Sequence, residues 1–133
     1  MFTEQDGIEA LQELEKLKGY DRAKLIEKIL RLETNHFKSK QYQLSGSAGM
    51  EMGNWVGIDE TKFTTFKMND NHLTGAKKVR TFIKWNNVLD FCLYLSDYID
   101  RHKGNYARWN SMNLERQAMY RTKVNSISNR IIK

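Results

Sequence analysis

The segment KILRLETNHFKSKQYQLSGSAGMEMGNW, Lys28 to Trp55, decides how the chain is read. It opens as an apolar run with helical spacing and places a glutamate, Glu33, where that run ends. A loop then leads into the small-residue stretch Gly46-Ser47-Ala48-Gly49-Met50. On a helix each residue advances about 100°. From Arg22 to Glu33, the polar residues Lys24, Glu27, Lys28 and Arg31 then share one side, and Leu25, Ile26, Ile29, Leu30 and Leu32 share the other. Glu33 falls near the middle of the apolar arc, seven residues after Ile26 and four after Ile29. Burial disfavours a charged carboxylate and raises its pKa. The negative end of the helix dipole acts in the same direction. A carboxyl kept protonated near neutral pH is what a glycosidase needs as its general acid. The plainer alternative is a carboxylate that pairs with Arg or Lys, or reaches water at the helix end.

Working outward, the flanks predict a mainly α (α+β) domain with a small β-hairpin or sheet insertion. One domain is expected over residues 1–133, helical over 1–40, loop- and strand-rich over 45–84, and helical over 86–133. Upstream, Ile8, Leu11, Leu14 and Leu17 mark one face of a helix from Glu4 to Lys18, with Thr3 as its cap and Gly19 as its end. Asp21 is placed to cap a second helix running from Arg22 to about Phe37. Downstream, WVGI (55–58), KFTTFKM (62–68) and KVRTFIKW (78–85) read as short strands, with NDN (69–71) and TG (74–75) as turns. The run VLDFCLYLSDYI is apolar on most sides, which predicts a central helix from about Asn87 to His102, stopped by Gly104. Asn113 caps a last helix, in which Tyr120, Val124, Ile127 and Ile131 repeat at four, three and four residues.

Composition narrows the function. The 133 residues are 40% hydrophobic and 29% charged, which suits one core rather than a disordered chain. No apolar run reaches the roughly 18 residues of a membrane helix. The first residues lack the basic start and apolar stretch of a signal peptide. The formal net charge of +6 favours a polyanionic partner, such as nucleic acid or a bacterial cell wall. One cysteine, Cys92, excludes an internal disulfide, and its apolar surroundings predict a buried, inert thiol. His36, His72 and His102 lack the spacing of a metal site, and no phosphate-binding glycine motif is present. Neither a metal nor another cofactor is expected.

The segment ETNHFKSKQYQLSGSAGM resembles the active-site region of the lysozyme-like, peptidoglycan-cleaving enzymes, above all the lytic transglycosylases and related glucosaminidases. Those families carry a catalytic Glu near a helix end, usually followed by Ser, and about a dozen residues later a small-residue run that ends in Met. Glu33-Thr34 and Gly46-Ser47-Ala48-Gly49-Met50 stand in those places. GNYARWN (104–110) is similar to the tyrosine-containing loop lining the cleft, and MYRTKVNSISNRI (119–131) to the closing helix of glucosaminidase domains. Thr34 replaces the usual Ser, and GMEM departs from the Leu-Met-Gln order common in transglycosylases.

The resemblance implies a lysozyme-like domain that cleaves peptidoglycan glycan strands as a muramidase, lytic transglycosylase or N-acetylglucosaminidase, with Glu33 as catalytic acid. Thr34, Ser45, Gly46, Gly49, Met50, Trp55, Tyr106 and Trp109 are then candidates for substrate contact, with Tyr42 a weaker one; the plainer alternatives are helix-end or turn hydroxyls, ordinary loop glycines and core rings. The hydroxyls would bond Glu33 or sugar, the glycines would let backbone approach the glycan, and the rings would offer flat faces. Glu51, Asp59, Glu60 and Asp70 are candidates for a second carboxylate, and spacing singles out none. A monomer is expected, of the kind a phage or prophage lysin would be, released to the wall by a holin, a virion or a secretion machine. Two other readings stay open. One is a small basic helical protein that binds nucleic acid through Lys77, Lys78, Arg80 and Lys84, through Arg101, Lys103 and Arg108, and through Arg116, Arg121, Lys123 and Arg130. The other is an inactive lysozyme-like domain that only binds glycan.

Overall fold

A reciprocal cap starts the chain. In the computed structural model, which describes residues 1–53, 55–70 and 78–133 (backbone only at 70 and 78), the Thr3 hydroxyl accepts from the Asp6 N–H. The Asp6 carboxylate in turn accepts from the Thr3 N–H, so two donors that a helix start leaves open are satisfied. Helix α1 (Glu4–Lys18) follows and stops at Gly19, as predicted. Helix α2 (Tyr20–Thr34) starts two residues before the expected Arg22, so Asp21 sits in its first turn instead of capping it. It stops three residues before Phe37, because Asn35, His36 and Phe37 all turn left-handed, with φ of 48°, 56° and 66°. A short helix the sequence did not suggest, α3 (Lys40–Ser45), is capped by the Ser39 hydroxyl and closed by Gly46 at φ 70°.

The middle of the chain holds one two-stranded antiparallel sheet among the described residues, β1 (Thr64–Asp70) and β2 (Lys78–Lys84). Thr64 lies opposite Lys84, and Phe66 opposite Phe82, with ring centroids 5.8 Å apart. The expected strand at 55–58 is a turn, closed by the Ile58 N–H on the Trp55 carbonyl. Asn69 and Asp70 belong to β1 and not to a turn, while Asn71 and the expected turn at 74–75 lie outside the described residues. Instead, Met50 and Met52 run along the free edge of β2, where the Ile83 N–H donates to the Met50 carbonyl at 2.9 Å and the Met52 N–H to the Thr81 carbonyl at 2.9 Å. The small-residue stretch therefore leads straight into the sheet.

Helix α4 (Val88–Arg101), capped by Asn87, takes the central position its composition predicts. Its Phe91, Leu95 and Ile99 meet Leu11 and Leu14 of α1 and Ile26, Ile29 and Leu30 of α2 in one buried cluster. Each such side chain contributes about 1.5–3 kcal/mol by leaving water. Cys92 lies in the same cluster, and burial pushes its thiol up to about 12, so it stays protonated and inert. A 3₁₀ turn over Tyr106–Trp109 joins α4 to helix α5 (Leu114–Asn125), which Asn113 caps as expected.

Beyond Asn125 the structure departs from the helical repeat. The last helix does not continue to Ile131. Residues 126–133 turn back along α2, and Ile132 is buried in the core. This segment covers the polar side of α2. Glu27 and Arg31 on that face are 0% and 3% exposed.

Candidate active site

Glu33 sits in the last turn of α2, one residue before its end, where the main chain bends sharply away. It is half-buried. Desolvation is the largest influence on its carboxyl and raises its pKa above the ordinary 4.5, while the Tyr120 hydroxyl and the Lys123 ammonium pull it part of the way back. Both partners come from α5. Tyr120 is 3% exposed, and burial with the Glu33 charge beside it drives its phenol strongly upward, so it remains a neutral donor. The tyrosine acts on Glu33, yet its Oη is buried without a partner at full hydrogen-bonding geometry among the described residues. The hydroxyl thus lies near enough to the carboxyl to favour its charged form without a full hydrogen bond to it.

Tyr106 extends this row, its ring 6.4 Å from that of Tyr120. The loop carrying it is tied to α5 by Arg121 donating to Asn105 Oδ1 at 2.8 Å and by Gln117 Nε2 donating to the Ser111 carbonyl at 2.9 Å. Glu33, Tyr120, Lys123 and Tyr106 therefore come from α2, α5 and the 3₁₀ turn, three elements that the fold holds together. Within the expected substrate-contact set, Tyr106 reaches Glu33 by way of Tyr120, and Thr34 adjoins Glu33 in the chain. The sequence marks Tyr120 as part of a core repeat on the last helix and Lys123 as one of the cations of the nucleic-acid reading. Their partnership with Glu33 depends on how α5 crosses α2, which no local pattern encodes.

Thr34 serves as a helix-end hydroxyl, the plainer of its two readings. It is fully buried. Its hydroxyl donates to the Leu30 carbonyl at 2.5 Å and accepts from the Phe37 N–H at 2.9 Å, while its carbonyl accepts from Lys38 and Ser39 N–H groups. These bonds hold the left-handed run of Asn35, His36 and Phe37, conformations that cost non-glycine residues about 1 kcal/mol or more each. Thr34 thus fixes the turn that frees Glu33 from the helix end. We expect Thr34→Val to lower stability by about 1–3 kcal/mol, since it strands the Phe37 N–H, and Thr34→Ser to retain most of it; thermal melts of the two variants check this.

The rest of the small-residue stretch is also structural. Ser45 is fully buried, and its hydroxyl bonds the Gln41 carbonyl at 2.7 Å and the Ser47 hydroxyl at 2.9 Å. Gly46 is buried under the Phe2 ring, which an added Cβ would meet at 3.0 Å. Gly49, at φ 83°, lies against the Gln41 side chain, and Met50 is fully buried in the core. Burial keeps Ser45, Gly46 and Met50 from touching a glycan directly. Tyr42 is buried too, its hydroxyl donating to the Thr3 carbonyl at 2.7 Å.

Trp55 and Trp109 do come together. They stack with centroids 5.3 Å apart and an interplanar angle of 29°. Trp109 also meets Phe91 and Tyr98, and the Trp55 indole N–H donates to the Glu51 carbonyl. Each half-buried ring thus spends one face on the other. Among the candidate second carboxylates, Glu51 pairs with Arg80 at 3.5 Å, Asp59 caps the 3₁₀ turn Glu60–Lys62, and Glu60 accepts from the Gly53 N–H. The Asp70 side chain, His72 and Lys77 lie outside the described residues. Of the other grouped cations, Arg101 lies over the Tyr94 and Tyr98 rings. His36 turns to Arg31, with Nδ1 3.3 Å from a guanidinium nitrogen.

Compared with protein-family models, with curated proteins and with solved structures, the chain matches none.

Proposed function

We propose that the protein cleaves the glycan strands of peptidoglycan, with Glu33 as the general acid and then the general base. One observation carries this reading. A half-buried carboxyl at a helix end, raised above its ordinary pKa by desolvation, stands beside a buried tyrosine hydroxyl and an ammonium. Glu33 gives its proton to the glycosidic oxygen as positive charge develops at the sugar carbon. The carboxylate left behind gains from Tyr120 and Lys123, because hydrogen bonds and charges of this kind are stronger to the anion than to the neutral acid. The two groups therefore stabilise the state that proton transfer creates. Glu33 then takes a proton from the attacking hydroxyl. Glu51, Asp59 and Glu60, three of the four candidate second carboxylates, are held in local contacts, and the proposed route needs one carboxylate. The attacking group is then the muramic acid 6-hydroxyl, or the substrate's own N-acetyl group assists the water.

Digestion of purified peptidoglycan by the wild type and by Glu33→Gln, followed by mass spectrometry, tests this. Muropeptides from the wild type and none from Glu33→Gln are expected. Products lighter by one water identify anhydro ends and the internal attack. A wild type that releases nothing from several wall types overturns the enzyme reading. Co-sedimentation with the intact wall would then point to glycan binding, and salt-sensitive retention on DNA or RNA to the nucleic-acid reading.

A further inference from the structure

The face of α2 two turns before Glu33 carries an ionised carboxylate that has no part in the proton transfer. Glu27 is fully buried, and an ion there is tolerated only when its lone pairs are filled. They are. Glu27 Oε2 accepts from Arg31 Nε at 2.7 Å and from the Arg130 and Ile131 N–H groups at 3.0 and 3.1 Å. Oε1 accepts from Asn129 Nδ2 at 3.0 Å and from the Ile132 N–H at 2.9 Å. Four of these five donors belong to the segment after α5. The same segment is tied to α2 twice more, by Asn129 Nδ2 on the Lys24 carbonyl at 2.9 Å and by the Lys28 ammonium on the Ile127 carbonyl. An ion pair with Arg31, four residues on, would need none of this. The carboxylate is spent on docking the tail.

We propose that Glu27 is a positioning residue for Glu33: by fastening the C-terminal tail to α2 it holds α5, and with it Tyr120 and Lys123, against the Glu33 carboxyl. The tail leaves α5 at Ser126, three residues past Lys123 and six past Tyr120. Glu27 lies six residues before Glu33, about 9 Å along the helix at 1.5 Å per residue. The tether is on the tail and the Glu33 contact on α5, about 120° apart around α2 at about 100° per residue, so one continuous α5–tail segment is held against α2 at two points. Loosening the first opens the second to water. The role of Glu27 in catalysis rests on the reading of Glu33 as the acid, but the tether can be tested without any activity.

The test follows the carbon-13 signal of the Glu33 carboxyl through a pH titration in the wild type, Glu27→Gln, Tyr120→Phe and the double variant. Glutamine keeps the size of Glu27 while losing its charge and one acceptor. Water entering the loosened interface relieves the desolvation that dominates at Glu33, so the midpoint in Glu27→Gln is expected to fall toward the ordinary carboxylate value. In the Tyr120→Phe background the same change is expected to have a different size, since two residues that act through one another are not additive. In wall digestion, kcat is expected to drop by about tenfold with little change in KM. An unchanged Glu33 midpoint in a folded Glu27→Gln protein overturns the proposal. Should Glu27→Gln fail to fold, Asn129→Ala, which removes one tail donor, runs the same titration; unfolding of both assigns Glu27 to stability alone and also overturns it. A midpoint that falls in a protein that never cuts peptidoglycan separates the two ideas, leaving the tether standing and the enzyme reading lost.

Discussion

Wall digestion is expected to decline as pH rises through the Glu33 pKa, and Tyr120→Phe is expected to move that decline to higher pH. A general acid must carry its proton, so each unit above its pKa removes about nine-tenths of the active form. Desolvation raises the Glu33 pKa above 4.5, which carries the active range upward from where an exposed glutamate would leave it. The Tyr120 hydroxyl and Lys123 oppose that shift. Removing the hydroxyl therefore raises the pKa further, and the alkaline limb follows. The same deletion takes a donor from the carboxylate that forms in the transition state, so kcat should fall about 10- to 100-fold, the worth of a hydrogen bond to a charged group. Glu33→Gln should fall by about 100- to 10,000-fold. Stability should move the other way. A carboxyl whose folded pKa lies above its unfolded value costs stability as pH rises from the unfolded pKa through the folded one. Glu33→Gln should thus melt higher than the wild type at neutral pH. A pH–rate profile and paired melts give all of these; an alkaline limb that stays fixed or moves down in Tyr120→Phe would sink the assignment of Glu33 as the acid.

Much of the fold was legible because local rules and burial agree. Thr3, Gly19, Asn87 and Asn113 each mark a helix boundary by the group they offer to unpaired backbone, and the helices begin or end there. Glu33 stood out because a carboxylate in an apolar arc conflicts with its neighbours, and the structure does hold it half-buried. The misses share a cause. The polar side of α2, with Glu27 and Arg31, is buried by a segment arriving from a hundred residues away, of which a helix pattern carries no sign. The tail itself was misread because Ile127 and Ile131 continue the spacing of Tyr120 and Val124, while the backbone N–H groups of residues 130–132 find a better acceptor in Glu27 than in another helical turn. Helix α3 offers only Tyr42 and Ser45 to the interior, too few for a periodic signal. The hydroxyls of Thr34 and Ser45 read either as contacts to Glu33 or sugar or as helix-end and turn hydroxyls; the left-handed turn and the buried Ser45–Ser47 pair show the second.

Glu27→Ala is expected to cost about 3–5 kcal/mol, a large share of the stability of a domain this size, because it leaves a guanidinium 3% exposed without its counter-ion and three tail N–H groups without an acceptor. The wild type should show the same dependence in acid. Desolvation alone would raise the Glu27 pKa, but the Asn129, Ile132, Arg130 and Arg31 donors together outweigh it and lower the value from 4.5 to about 2. A carboxylate with a depressed folded pKa contributes its full stability above the unfolded value and loses it as pH falls through the folded one. The loss should therefore develop between pH 4.5 and about 2 and amount to about 3 kcal/mol at about 1.4 kcal/mol per unit. Melting temperatures across that window check it, and Glu27→Gln should lose most of the slope. A second comparison shows what the carboxylate is for. Where a buried ion pair is only an ion pair, replacing both partners by apolar residues is commonly neutral or stabilising. Here Glu27→Leu with Arg31→Met removes both charges but still strands the N–H groups of Arg130, Ile131 and Ile132, so the double variant should remain at least about 2 kcal/mol less stable than the wild type. Recovery of full stability in that variant would show that Glu27 serves Arg31; a persistent deficit shows that it serves the tail.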